Sequence, residues 1–292
     1  MKLELSAADE AFRQEVRSFL RDNLPADLSA RGYRGFAPPS KEDLQRWNRI
    51  LFEKGWSAPH WPVQYGGTGW TPLQQHLFEE ECHLAYAPDL SWQGLRLLGP
   101  VLYTYGSEEL KRQHIPGILS GDVLWAQGFS EPNAGSDLVS LKTRAERQGD
   151  HYIVNGQKTW SSEGHYADWG FFLVRTDPTV KPQKGISFLL IDLRSPGVTV
   201  RPIIMINGAH YVNEIFLDNV QVPLTNLVGQ EGQGWTYTKF LLDHERTSSA
   251  FIYFSKRELQ RAKEIARAER CNGVPLLETP EFARRKIGRA HV

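Results

Sequence analysis

Residues Ala126 to Ser162 read AQGFSEPNAGSDLVSLKTRAERQGDHYIVNGQKTWSS, and they decide how the rest of the chain is read. A strand-like run, Val123 to Phe129, breaks into Ser130-Glu131-Pro132-Asn133-Ala134-Gly135-Ser136-Asp137, where turn formers displace every apolar residue but one. Such a loop offers backbone N–H groups and short hydroxyls to a polar ring edge or a thioester. Two further strand-like runs follow, with Asn155-Gly156 between them as the strongest short hairpin signal in the chain. The second run ends on Trp160-Ser161-Ser162, which sets a flat aromatic and two hydroxyls at a strand end. Taken piecemeal, the stretch is also compatible with a plain β-meander whose Ser/Gly loop is a turn and whose Trp160 is core.

Working outward, the N-terminal side reads as helices. Ser6 with Asp9 suggests a capping box, and Phe12, Val16, Phe19 and Leu20 form an apolar stripe that Pro25 ends. Ser40 with Asp43 repeats the start signal, Leu44, Trp47 and Leu51 give the stripe, and Gly55 stops it. A Trp/Pro/Gly loop runs from Trp56 to Trp70. Thr71-Pro72 opens a third helix reaching about Tyr86, Ser91 to Tyr105 a fourth, and Ser107 to Leu119 a fifth despite Pro116.

On the other side, β-branched and aromatic runs continue to about Leu227: Thr143 to Arg147, Tyr152 to Val154, Gly170 to Thr176, Ile186 to Leu193, Val198 to Ile204 and Glu214 to Val222. With no long helix between them, antiparallel barrel or sandwich pairing is expected rather than a βαβ layout. Thr176 to Gly185 reads as a polar hairpin. Gly229 to Gly234 is hinge-like, and a helical period then runs from Trp235 to about Arg270, with Leu241, Glu245, Ser248 and Ile252 on one face. The expected fold class is a multidomain α+β chain: a helical domain over 1–122, a β-domain over 123–230, and the start of a C-terminal helical bundle over 231–285.

In 292 residues, 34 Lys and Arg balance 34 Asp and Glu, so no overall field points to nucleic acid or an anionic membrane. Two cysteines, Cys82 and Cys271, build neither a disulfide framework nor a Cys-rich zinc site. His60, His76, His83 and His114 lack ligand spacing backed by carboxylates or cysteines, so no metal is expected. There is no P-loop and no GxGxxG after a strand, which excludes Rossmann-type nucleotide binding. Ser130 and Ser136 have no His-Asp pattern around them and read as binding rather than nucleophilic groups. The basic run Lys256 to Arg270, interleaved with Glu258, Glu264 and Glu269, reads as a solvated helix face. Without a signal peptide or a membrane-length apolar run, the cytoplasm is the expected compartment.

The order and spacing of Ser130-Glu131-Pro132, Gly135-Ser136-Asp137 and Asn155-Gly156-Gln157-Lys158-Thr159-Trp160 resemble the signature of the acyl-CoA dehydrogenase family. Two departures are mild: Phe129 is bulkier than the aliphatic residue usual there, and Ser162 stands where Thr is commoner. The resemblance spans about residues 1 to 285. It implies FAD held between the β-domain and the C-terminal helices, with Gln127, Phe129 and Ser130 along the flavin pyrimidine edge, Trp160 packed on the ring and Ser162 reaching toward N5. Ser136, Asp243 and Arg246 would meet the acyl-CoA. Glu245 matches the position of the base in the branch acting on branched-chain and long-chain thioesters; other branches use a Glu later in the chain. From composition alone, Glu245 beside Arg246 reads as an ordinary surface pair, although apolar neighbours would raise its pKa.

The implied reaction is α,β-dehydrogenation of an acyl-CoA to the trans-2-enoyl-CoA, with electrons passed to an electron-transferring flavoprotein by a homo- or hetero-oligomer. Acyl-CoA oxidases and flavin monooxygenases share the scaffold, as does a non-catalytic subunit of a paired complex, and the signature does not separate them. Lys286 to Val292 back-translates to AAG ATC GGA AGA GCA CAC GTC, which resembles a DNA sequencing adapter, so 286–292 is expected to be a non-native tail on a truncated fragment that is inactive alone.

Overall fold

The computed structural model describes residues 5–34, 38–248, 252–282 and 284. The segment 286–292 read as a tail lies outside the described residues.

Helix α1 (Ala7–Asn23) begins where the Ser6 side chain accepts from Asp9 N–H, and it buries Phe12, Val16 and Leu20 at helical spacing. A short α2 (Ala26–Arg34) follows Pro25 at once; the proline that ends one stripe also starts the next helix. Capping boxes at Ser40/Asp43 and Thr71/Gln74 start α3 (Lys41–Lys54) and α4 (Pro72–Leu84). The expected fourth helix is split. Trp92–Leu98 winds as a π-helix and α5 (Gly99–Tyr105) continues it, before α6 (Glu108–Ser120). Phe12, Val16, Trp47, Leu51, Trp56 and Phe78 fill the helical core. Charge also binds the layer: Glu81 on α4, 5% exposed, takes Arg13 and Arg17 of α1.

Seven strands form the β-domain: β1 (Trp125–Gly128), β2 (Arg144–Gln148), β3 (His151–Ser162), β4 (Trp169–Arg175), β5 (Ile186–Asp192), β6 (Val198–Ile204) and β7 (His210–Pro223). They lie in one sheet, ordered β1-β4-β2-β3-β7-β6, with β5 also on β4. The sheet is mixed, which corrects the expectation of antiparallel pairing throughout: β1 and β2 both meet β4 in parallel. The hairpin expected at Asn155-Gly156 is also absent. The β2–β3 turn falls at Gly149-Asp150, and β3 runs on through Asn155-Gly156 with a register shift against β7. Gly156 (φ +157°) is needed there because a Cβ would meet the Thr143 backbone at 2.7 Å.

Helix α7 (Gly234–Ser248) packs Tyr237 and Leu241 into a core shared with α5, α6, β1 and β5, so it seals the junction of the helical and β layers. Helix α8 (Ile252–Ala268) docks on α4. Its basic face is not simply solvated: Lys256 pairs with Glu80, and the Arg257 and Arg261 guanidinium groups stack on Tyr86 and Tyr33.

Candidate functional site

The Ser130–Asp137 loop is held at both ends by one buried ion pair. Lys158, fully buried on β3, donates to Glu131 Oε1 at 2.8 Å and to the Phe129 carbonyl at 3.1 Å. Glu131 also accepts the backbone N–H groups of Lys142 and Thr143 beyond the loop. Although burial pushes the Glu131 carboxyl up, the Lys158 ammonium and these donors hold it below the usual carboxylate range. Burial lowers Lys158 to about 8, so the pair stays ionised at neutral pH. Thr159 N–H then bonds the Ser130 carbonyl at 2.9 Å, which fixes Ser130 beside the strand position preceding Trp160.

Trp160 is the unusual residue of this strand. The ladder between β3 and β7 shifts register between Lys158 and Ser161, and Trp160 takes a left-handed backbone, φ 61°. A bulky residue pays steric strain in that conformation, and the result here is an indole 63% exposed between buried Thr159 and Ser161. Ser162 follows, half-buried and close to Tyr211. Gln127 is half-buried on β1, opposite Phe171 of β4. Phe129 contributes differently from the expectation: its ring is buried edge-on against Phe171 and Phe188, so only its backbone can meet a bound molecule. Its bulk therefore belongs to the core.

Ser136 is exposed on the outer part of the loop and Asp243 is exposed on α7; no described contact joins them. The backbone of Glu245 and Arg246 lies in α7, and their side chains are outside the described residues. Sequence reading passed over Glu163, which also has a left-handed backbone (φ 59°) directly after Ser162. Burial, then the charge of Asp89, raises its carboxyl to about 7. It passed over Lys158 and Glu131 as a pair too: both stand in polar sequence, one on the loop and one on β3, and nothing local marks either as buried.

An apolar cavity of about 150 Å³ lies among the Trp56–Trp61 loop, α4, the π-helix and the start of α8. Asp89, whose charge acts on Glu163, is on its wall. Among the described residues no His/Cys/Asp/Glu cluster could hold a metal ion, and no described helix is long and apolar enough to cross a membrane.

The family description "acyl-CoA dehydrogenase, N-terminal domain" matches residues 6–122, and "acyl-CoA dehydrogenase, middle domain" matches 126–220. Acyl-CoA dehydrogenase IpdE1 of Mycobacterium tuberculosis is 38% identical over 277 residues, covering 92% of this chain and 71% of that protein. The chain belongs to the acyl-CoA dehydrogenase family. It spans 62% of another relative, acyl-CoA dehydrogenase FadE29 of the same organism. Among solved structures, the Tcur3481-Tcur3483 steroid ACAD superposes with TM-score 0.85 at 34% identity, over 100% of this chain and 73% of that one. The ChsE4-ChsE5 complex from Mycobacterium tuberculosis gives 0.80 at 31%, over 100% and 74%. An exposed indole on left-handed backbone, with Ser130 tied to the strand position before it and Ser162 two positions after it, has the chemistry to take a flat polar ring such as a flavin.

Proposed function

We propose that this chain carries the FAD and thioester sites of an enzyme that introduces an α,β double bond into an acyl-CoA. The observation that supports this most is Trp160, a large aromatic turned out of a strand by left-handed backbone and flanked by Ser130 and Ser162. FAD, when bound, supplies the acceptor for the β hydrogen. The chain's own residues do the rest. Trp160 covers one face of the ring, and the Ser130 and Ser162 hydroxyls with the Gln127 amide orient its polar edge, donors that favour an electron-rich ring. The clamp between Lys158 and Glu131 keeps Ser130 in register with Trp160.

Glu245 on α7 removes the α proton. A carboxylate is too weak a base for an unactivated C–H, so the thioester carbonyl must be polarised by fixed donors in a dry site. Ser136, Asp243 and Arg246 hold the CoA portion, and the cavity behind Asp89 takes the acyl group. The electron acceptor is an electron-transferring flavoprotein, and the working unit is an oligomer. Two of the similar structures are themselves named as two-component assemblies.

The test is anaerobic mixing of the FAD-loaded protein against a panel of acyl-CoAs. Bleaching of flavin absorbance with enoyl-CoA formation is expected, and dye reduction without peroxide release separates a dehydrogenase from an oxidase. No bleaching with any thioester would overturn the reading.

A further inference from the structure

The cavity is lined unevenly. Phe78, Leu90 and Leu95 make an apolar wall, whereas Ser57, His60, Glu79, His83, Arg96 and Tyr253 bring a hydroxyl, imidazoles and charge to the same space. Glu79 accepts from His60 at 2.7 Å and from Arg96, and the Tyr253 hydroxyl meets His76 at 2.9 Å. Burial pushes Glu79 up, yet His60 and Arg96 bring it down to about 2. The network is therefore a fixed, ionised wall rather than a group that neutralises itself for an apolar guest.

Two atoms on this wall have no partner among the described residues. Ser57 is only 3% exposed and lines the cavity; no described group bonds its hydroxyl, which keeps contact with the cavity's open space. His60, an exposed residue at the cavity's edge, uses Nε2 on Glu79 and has no described partner at Nδ1. They sit three residues apart on one loop. Covering a hydroxyl that opens on the cavity with methylene groups forfeits its hydration and returns nothing, so a plain alkyl chain is a poor match. In size, a cavity of about 150 Å³ is what a single six-membered ring fills.

Resting on the dehydrogenase reading above, we propose that the acyl group this cavity receives ends in a ring-sized unit bearing a hydroxyl or ketone oxygen, which hydrogen-bonds Ser57 and His60. Ser57 can donate or accept, so either oxygen satisfies it; His60, its Nε2–H given to Glu79, accepts from a hydroxyl at Nδ1 as the neutral ring and donates there to either oxygen as the imidazolium.

The test uses the FAD-loaded protein and four probes: 3-cyclohexylpropanoyl-CoA, its 4-oxo and 4-hydroxy ring derivatives, and octanoyl-CoA. The kcat/KM of at least one oxygenated ring thioester is expected to exceed that of the unsubstituted ring by about 10-fold or more, since a site built around hydrogen bonds rejects analogues that lack them. Ser57→Ala should shrink this preference roughly 3- to 10-fold, one hydrogen bond's worth, while turnover of the unsubstituted ring holds within about 2-fold. The wild-type ranking stands independently of how the variant folds. An unsubstituted ring or octanoyl-CoA used as well as both oxygenated rings overturns the proposal and leaves the dehydrogenase standing. Equal losses on all probes in Ser57→Ala also overturn it. Turnover of no thioester at all brings down the dehydrogenase reading and this proposal with it.

Discussion

Replacing Trp160 by Ala separates a cofactor platform from a core residue, because the two roles predict opposite results. The indole is 63% exposed, so of a side chain that buries roughly 250 Å² at most, about 150 Å² faces solvent and is available to a flat ring. Half to all of that area, at about 25 cal/mol per Å², is worth ~2–4 kcal/mol of binding. FAD affinity should therefore fall between about 30- and 1,000-fold. The fold should hardly notice. Ala inherits the same left-handed backbone (φ 61°) and its strain, and an exposed side chain away from caps and pairs changes stability by about 0.5 kcal/mol or less. The assay is paired: FAD titration of the apoprotein by flavin fluorescence, and urea unfolding of the same apoprotein. Unchanged FAD affinity together with a stability loss of about 2 kcal/mol or more would refute the reasoning and return Trp160 to the core.

Glu245→Gln should leave FAD bound and nearly abolish flavin reduction by substrate; reduction at close to the parent rate would move the base to another carboxylate. Lys158→Met strands the buried Glu131 and should cost about 3–5 kcal/mol in urea unfolding, whereas Lys158→Met with Glu131→Gln should cost about 1–3 kcal/mol less than the two single losses added. Strict additivity would mean that the two side chains do not act as a pair. Glu163 has its folded pKa raised from 4.5 to about 7, so the folded state is penalised as pH climbs: the stability present below about 4.5 is lost by pH 8, by roughly 3 kcal/mol at most. Glu163→Gln should accordingly raise the melting temperature at pH 8 and leave it unchanged near pH 4.5. An equal shift at both pH values contradicts a titrating Glu163.

The helical layer was legible because its start and stop signals are local: Ser6, Ser40 and Thr71 cap the helices they were expected to cap. The sheet was legible as strands but not as pairing. Asn155-Gly156 carries the strongest turn signal, yet the glycine is required by close approach to Thr143, a residue thirteen positions away, and propensity cannot distinguish a bulge from a turn. Trp160 was named from the sequence; its exposure and left-handed backbone were not, because both follow from a register slip against β7. Glu163 was missed for the same class of reason. Its environment depends on Asp89, which arrives from the helical layer, and nothing between positions 89 and 163 announces the encounter.

The loop from Trp56 to Trp61 divides two duties by residue. Trp56 packs against Phe19, Trp70 and Phe78, and the Trp61 indole N–H bonds the Leu95 carbonyl at 2.7 Å; these two indoles hold the loop on the domain. Ser57 and His60, set between them, face the cavity. A substitution at 57 thus changes what the cavity meets without touching the anchors on either side, whereas one at 60 also takes a partner from Glu79. Such a loop is an evolvable dial with one free setting: descendants of one ancestral scaffold can diverge in diet by a single codon while keeping both anchors.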